Sequence, residues 1–162
     1  MKRKSRKVLS LDTASKVTGW ALFVNGKYKC SGTIDLHKNK NSITRVAKMC
    51  ISIVGLIKEH NPTDVAIEEM PSTRNAKTTR MLSKIIGAVY YHCLVNKIPY
   101  EELSCSKWRG TLGIDKRNRE DAKLASINRV KTIYGKDMND DEADAINIGE
   151  AYCINHNIGR KG

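Results

Sequence analysis

Lys7-Val8-Leu9-Ser10-Leu11-Asp12 is followed by Thr18-Gly19-Trp20-Ala21-Leu22-Phe23-Val24, then by Asn25-Gly26 and a further run from Tyr28 to Leu36. The first run is short, apolar and closed by an acid, which suits a buried strand. The next two are joined by Asn-Gly, the strongest short-range hairpin signal, because a type I′ turn needs positive φ at both central residues. The opening third of the chain therefore predicts one strand and an antiparallel hairpin.

The pattern then changes period. Ile43, Val46, Ala47, Cys50, Ile53, Val54 and Ile57 recur at three- and four-residue intervals and predict an amphipathic helix, with Ser42 as its N-cap and Asn61-Pro62 as its stop. Residues 64–70 read as a fourth strand, ended by Pro71. Residues 77–96 read as a second helix and 98–103 as a fifth strand. After a basic, Gly-containing connection, helices are expected over about 119–134 and 141–155. A hairpin followed by strand–helix alternation predicts a mixed five-stranded sheet, antiparallel at the hairpin edge and parallel where helices cross over. With 162 residues the chain suits one α/β domain, residues 1–162, with 1–6 a basic N-terminal arm.

Lys and Arg number 29 against 17 Asp and Glu, a net charge of +12, and such an excess favours nucleic acid as partner. The five cysteines are scattered without CxxC spacing, so they indicate neither a zinc site nor a disulfide framework, and reduced thiols in a cytoplasm are expected. No run approaches the roughly 20 apolar residues of a membrane span, and no membrane partner is expected.

Four acids sit where this sheet would gather them. Asp12 ends the first strand, and Glu68 or Glu69 lies near the end of the fourth, which the crossover makes parallel to the first. Asp141 and Asp144 share one face at the start of the last helix, ahead of Ala145, Ile148 and Tyr152. Asp141 alone reads as a complement to the helix dipole, and Asp12 alone as a turn former. Together, crowded carboxylates repel and raise one another's pKa, a conflict that a divalent cation resolves; oxygen-only ligands suit Mg²⁺ or Mn²⁺. His37, His60, His92 and His156 are isolated, and neither a catalytic triad nor a Gly-rich phosphate loop is legible. An enzyme with this sequence needs a metal to generate its nucleophile.

Three motifs resemble those of the RuvC family of Holliday-junction resolvases, within the RNase H-like nucleases. They are Leu11-Asp12-Thr13-Ala14-Ser15-Lys16-Val17-Thr18-Gly19-Trp20, Ala66-Ile67-Glu68, and Asp141-Glu142-Ala143-Asp144-Ala145. Their order and spacing match over nearly the whole chain. The resemblance implies an RNase H-like fold and a structure-selective endodeoxyribonuclease that cuts Holliday junctions or other branched DNA to leave 5′-phosphates. It implies Asp12, Glu68, Asp141 and Asp144 as catalytic metal ligands, favouring Glu68 over Glu69. It further implies two Mg²⁺ ions per site (with Mn²⁺ substituting), a homodimer, and work on bacterial nucleoid or phage DNA. The short, basic chain fits a bacteriophage version. Two departures stand out: Thr13-Ala14 replaces the family's Pro-Gly, and no aromatic follows Glu68, where Met70 or Pro71 is left as an apolar wedge.

The cations cluster. Arg74, Lys77, Arg80 and Lys84 follow the fourth strand with no acid from Pro71 to Lys84; Lys107, Arg109, Lys116, Arg117 and Arg119 fill the connection, and Lys123 lies in the next helix. Arg74, Lys77, Arg80, Lys107, Arg109, Lys116, Arg117 and Lys123 are the candidate DNA contacts; Lys107 and Lys123 match the family's basic positions best. Trp108 reads either as a stacking residue or as core. In the second helix, Met81, Ile85 and Val89 suit the sheet, leaving Leu82, Ile86, Tyr90 and Leu94 for a partner protomer. The competing functions are a nuclease acting on flaps or RNA–DNA hybrids, a catalytically silent branched-DNA-binding protein, and last a phosphotransferase of the actin and sugar-kinase fold.

Overall fold

The Asn25-Gly26 turn takes φ of 51° and 78°, folding β2 (Val17–Val24) back on β3 (Lys27–Asp35) in a computed structural model that describes residues 5–72, 75–114 and 118–159. β1 (Lys7–Asp12) pairs antiparallel with β2 and parallel with β4 (Asp64–Glu68), which pairs in turn with β5 (Tyr100–Leu103). The order β3-β2-β1-β4-β5 is the expected mixed sheet.

Alternation along the strands sends their side chains to two cores. Leu9, Leu11, Val65 and Ile67 meet α1 (Ser42–His60) and α2 (Ala76–Val95) on one face. Val8 and Ala66 meet Trp108 of α3 (Cys105–Leu112), Val130 of α4 (Arg119–Tyr134) and Ile148 of α5 (Asp140–Asn155) on the other. α5 lies unusually close to the sheet: the buried Ser10 hydroxyl donates to the Ala145 carbonyl at 2.7 Å, and a β-carbon on Gly149 would come within 2.5 Å of Ser10 and Phe23.

Several expectations are corrected. The N-cap of α1 is Asn41, whose side chain accepts from the Thr44 amide at 2.9 Å; Ser42 is the first helical residue. α3 replaces part of the basic connection. Only Trp108 is buried in its eight residues, so it carries no apolar period to read, although Ser104 caps it and Gly113, at φ 69°, ends it. Leu82 is not left for a partner but is 6% exposed within the protomer. Arg6 is anchored to the sheet, its guanidinium 2.5 Å from Asp64. Burial works to raise the Asp64 carboxyl, but the Arg6 and Thr63 hydrogen bonds overcome it and hold the pKa below the usual value. All five cysteines are unpaired. No helix among the described residues is long and apolar enough to cross a membrane.

Candidate metal centre

Asp12 and Glu68 share the parity of Ser10 and Ala66, whose register partners they extend, so they stand side by side on the α5 face at the ends of β1 and β4. Glu69 is exposed beyond the strand. The third and fourth acids arrive with α5. Asn139 caps that helix by accepting from the Glu142 amide at 2.8 Å, and the first turn crosses β2 where Gly19 pairs with Asp12. Only glycine fits there, because a β-carbon would sit 1.9 Å from the Asp141 carbonyl oxygen.

Burial raises the Asp12 carboxyl well above its ordinary range, and the charges of Glu68, Asp144 and Asp141, with a hydrogen bond to Glu68, raise it further. Burial likewise pushes Asp144 up to about 6 against the opposing hydrogen bond from Ser126, with Glu68 adding to the rise. Asp141 is raised by burial and then by Asp140, whereas Asp140 is lowered by its bond to Lys123. The acids are neighbours without being a closed cage: among the described residues, no three acid, His or Cys side chains are grouped so as to hold an ion by themselves. A Mg²⁺ site does not require that, since this ion keeps several waters and takes one or two carboxylates plus substrate phosphate. The Asp12–Glu68 pair, with Asp144 beside it, has the hard oxygen donors and the unrelieved repulsion that such an ion answers.

A family model for crossover junction endodeoxyribonuclease RuvC matches residues 8–153. The chain belongs to the RuvC family. RuvC of Brachyspira hyodysenteriae is 25% identical over 93% of this chain and 95% of its own. RuvC of Halorhodospira halophila is 29% identical over 59% of each chain, so that match spans under two thirds of the relative. Among solved structures, Thermus thermophilus RuvC in complex with a Holliday junction substrate superposes with a TM-score of 0.73 at 15% identity, covering 95% of this chain and 96% of that one. The yeast mitochondrial Holliday junction resolvase Ydc2 gives 0.61 at 15% identity, covering 91% and 77%. The family and the RNase H-like fold expected from the three motifs hold.

Around these acids the RuvC-family framework carries support that the sequence did not disclose. Trp108, 0% exposed, donates its indole N–H to Glu68 Oε1 at 3.0 Å. The Ser126 hydroxyl donates to Asp144 and accepts from Asn147 at 2.6 Å, while Asn147 accepts from Arg129 at 2.8 Å. These side chains come from three helices, and their only sequence signal is polarity at otherwise apolar positions. Trp108→Phe removes the N–H and leaves a cavity where the indole's second ring packed, so we expect a ten- to hundredfold loss of metal affinity together with a melting temperature lowered by several degrees. Mn²⁺ titration followed by electron paramagnetic resonance checks this, and unchanged affinity would refute it.

The expected DNA contacts divide. Arg109 lies 4.9 Å over the Trp108 ring, close enough to Asp144 to favour its charged form. Lys123 joins the acid edge through Asp140. Lys107 instead pairs with Glu101 at 2.7 Å. Lys77 and Arg80 lie on α2, on the other face of the sheet. Arg74, Lys116 and Arg117 fall outside the described residues.

Proposed function

We propose that this RuvC-family protein is a structure-selective endodeoxyribonuclease that resolves four-way junctions or other branched DNA, leaving 5′-phosphates. The observation that carries this reading is the convergence of Asp12 and Glu68, at the ends of β1 and β4, with the first turn of α5, where burial and then the charges of Glu68, Asp144 and Asp141 raise the Asp12 carboxyl. Asp12, Glu68, Asp141 and Asp144 would hold the metal; when bound, two Mg²⁺ (or Mn²⁺) ions supply an activated water and charge neutralisation at the leaving oxygen.

The chain's own groups prepare that chemistry. The Trp108 N–H fixes one oxygen of Glu68, whose carboxyl also hydrogen-bonds with Asp12. The Ser126 hydroxyl orients Asp144, and Lys123 offsets the charge of Asp140 beside Asp141. Arg109 stands ready for a backbone phosphate, with Lys77, Arg80, Lys107 and Lys123, and with Arg74, Lys116 and Arg117 beyond the described residues. The protein works in the cytoplasm, on bacterial or phage DNA.

A junction offers two equivalent strands, whereas one chain supplies one acid set, so symmetric cutting calls for a two-fold dimer. Tyr90, Tyr91, Leu94 and Val95 are exposed at the end of α2 and suit that contact. The deciding assay is Mg²⁺-dependent cleavage of a labelled mobile four-way junction beside forks, flaps, RNA–DNA hybrid and matched duplex. Paired symmetric nicks in the junction are expected, with sedimentation showing a dimer. Binding without metal-dependent cleavage would leave a silent junction-binding protein, and preferred cutting of flaps or hybrids would name a different substrate.

A further inference from the structure

On the sheet face opposite the acids, the N-terminal turns of α1 and α2 enclose an open cavity of about 340 Å³. β3 and β4 both run toward the edge where Asp12 and Glu68 stand, so the helices that follow them begin at that same edge. Its apolar lining comes from Ile43, Val46 and Ala47 of α1 with Met81 of α2, of which Val46 is buried. The rim is cationic, made by Lys77, Arg80 and Lys84. Among the described residues, none of these three is paired with an acid.

Two further observations point to an anion. Neither helix has an acid in its first turn, so the positive ends of both helix dipoles add to the rim. Arg45 does not line the cavity but adds positive charge beside it: it is 6% exposed and set against the Met81 sulfur, its guanidinium donates to the Asn39 carbonyl at 2.7 Å, its Nε finds no partner, and no acid among the described residues neutralises it. A second copy of this chain fits poorly, because a two-fold contact would set the same cations against each other. A single nucleotide fits both halves: a base for the apolar lining and a phosphate for the rim.

We propose that this cavity receives one unpaired nucleotide of a branched DNA strand, with its base on Ile43, Val46, Ala47 and Met81 and its phosphate among Lys77, Arg80 and Lys84. The proposal rests on the reading of the protein as a branched-DNA nuclease and adds a seat for strand that has left the duplex.

The test is binding of a dye-labelled short thymidine oligonucleotide in Ca²⁺, followed by anisotropy. Ala47→Trp fills the cavity and Ile43→Glu puts an acid in its lining. Both positions are exposed, Ile43 by 78%, so the fold should tolerate the changes. Each should weaken binding roughly tenfold, the order of one base contact. Arg80→Glu should also lower the salt dependence by about one phosphate contact, whereas Ala47→Trp should leave it unchanged. Ile51→Glu, further along α1 and outside the cavity, should bind like the wild type. The proposal is overturned by wild-type affinity in Ala47→Trp and Ile43→Glu, by an equal loss in Ile51→Glu, or by losses that appear only as a dimer falls to monomer in sedimentation. Wild-type cleavage of a four-way junction in Mg²⁺ is measured alongside. Its failure would overturn the nuclease reading while the oligonucleotide result stands on its own.

Discussion

Asp12→Asn is expected to abolish cleavage and at the same time to stabilise the metal-free protein. The first effect follows from losing a ligand at the centre of the acid cluster: about 3 kcal/mol of lost transition-state stabilisation already exceeds a hundredfold in rate. The second follows from linkage. Asp12 and Asp144 both titrate above the ordinary carboxylate range, Asp144 at about 6. Between the unfolded and folded pKa values the native state therefore binds more protons than the unfolded chain, and stability falls as pH rises through that window. For Asp144 a rise from 3.8 to about 6 corresponds to about 3 kcal/mol. Metal-free protein should thus melt lower at pH 7.5 than at pH 5, and Mg²⁺ or Mn²⁺ should recover much of the loss. Asp12→Asn removes a charge that burial and its acid neighbours disfavour, so its melting temperature in EDTA at pH 7.5 should exceed that of the wild type by several degrees. DNA binding in Ca²⁺ should survive. Glu68→Gln should behave like Asp12→Asn, and Glu69→Gln like the wild type. A destabilised, fully active Asp12→Asn would remove the metal-centre assignment.

Gly19→Ala should cost nearly as much activity without touching a carboxylate. The added methyl would lie 1.9 Å from the Asp141 carbonyl oxygen and 2.9 Å from the Glu142 amide nitrogen. Both are backbone atoms of a capped helix, so no side chain can swing away to make room. The first turn of α5 must lift from β2, carrying Asp141 and Asp144 away from Asp12. Overpacking of this kind costs about 1–3 kcal/mol, which this fold should survive, while cleavage should fall a hundredfold or more. Comparing melting temperature, junction binding in Ca²⁺ and cleavage in Mg²⁺ separates the two effects. Wild-type cleavage by Gly19→Ala would show that α5 can approach β2 in another way.

What could be read along the chain was what local physics decides. Asn25-Gly26 announced the hairpin because few residue pairs adopt positive φ together, and period-2 and period-3.6 runs announced strands and helices because each has one face to bury. The positions of the candidate acids Asp12, Glu68, Asp141 and Asp144 were legible because strand ends and a helix start are places that a topology sets. The choice between Glu68 and Glu69 was beyond alternation at a frayed strand end. The β1–β4 register and the hydrogen bond from Trp108 favour Glu68, and Trp108 arrives from a helix too short and too polar to show a period. Lys107 and Lys123 looked alike as surface cations until Glu101 claimed one and Asp140 the other. The Ser126–Asn147–Arg129 chain, the clearance at Gly19 and the cation-rimmed cavity between α1 and α2 each join residues far apart in sequence. Such contacts depend on how closely two elements approach, a distance set by the packing of the whole core and encoded in no single stretch of the chain.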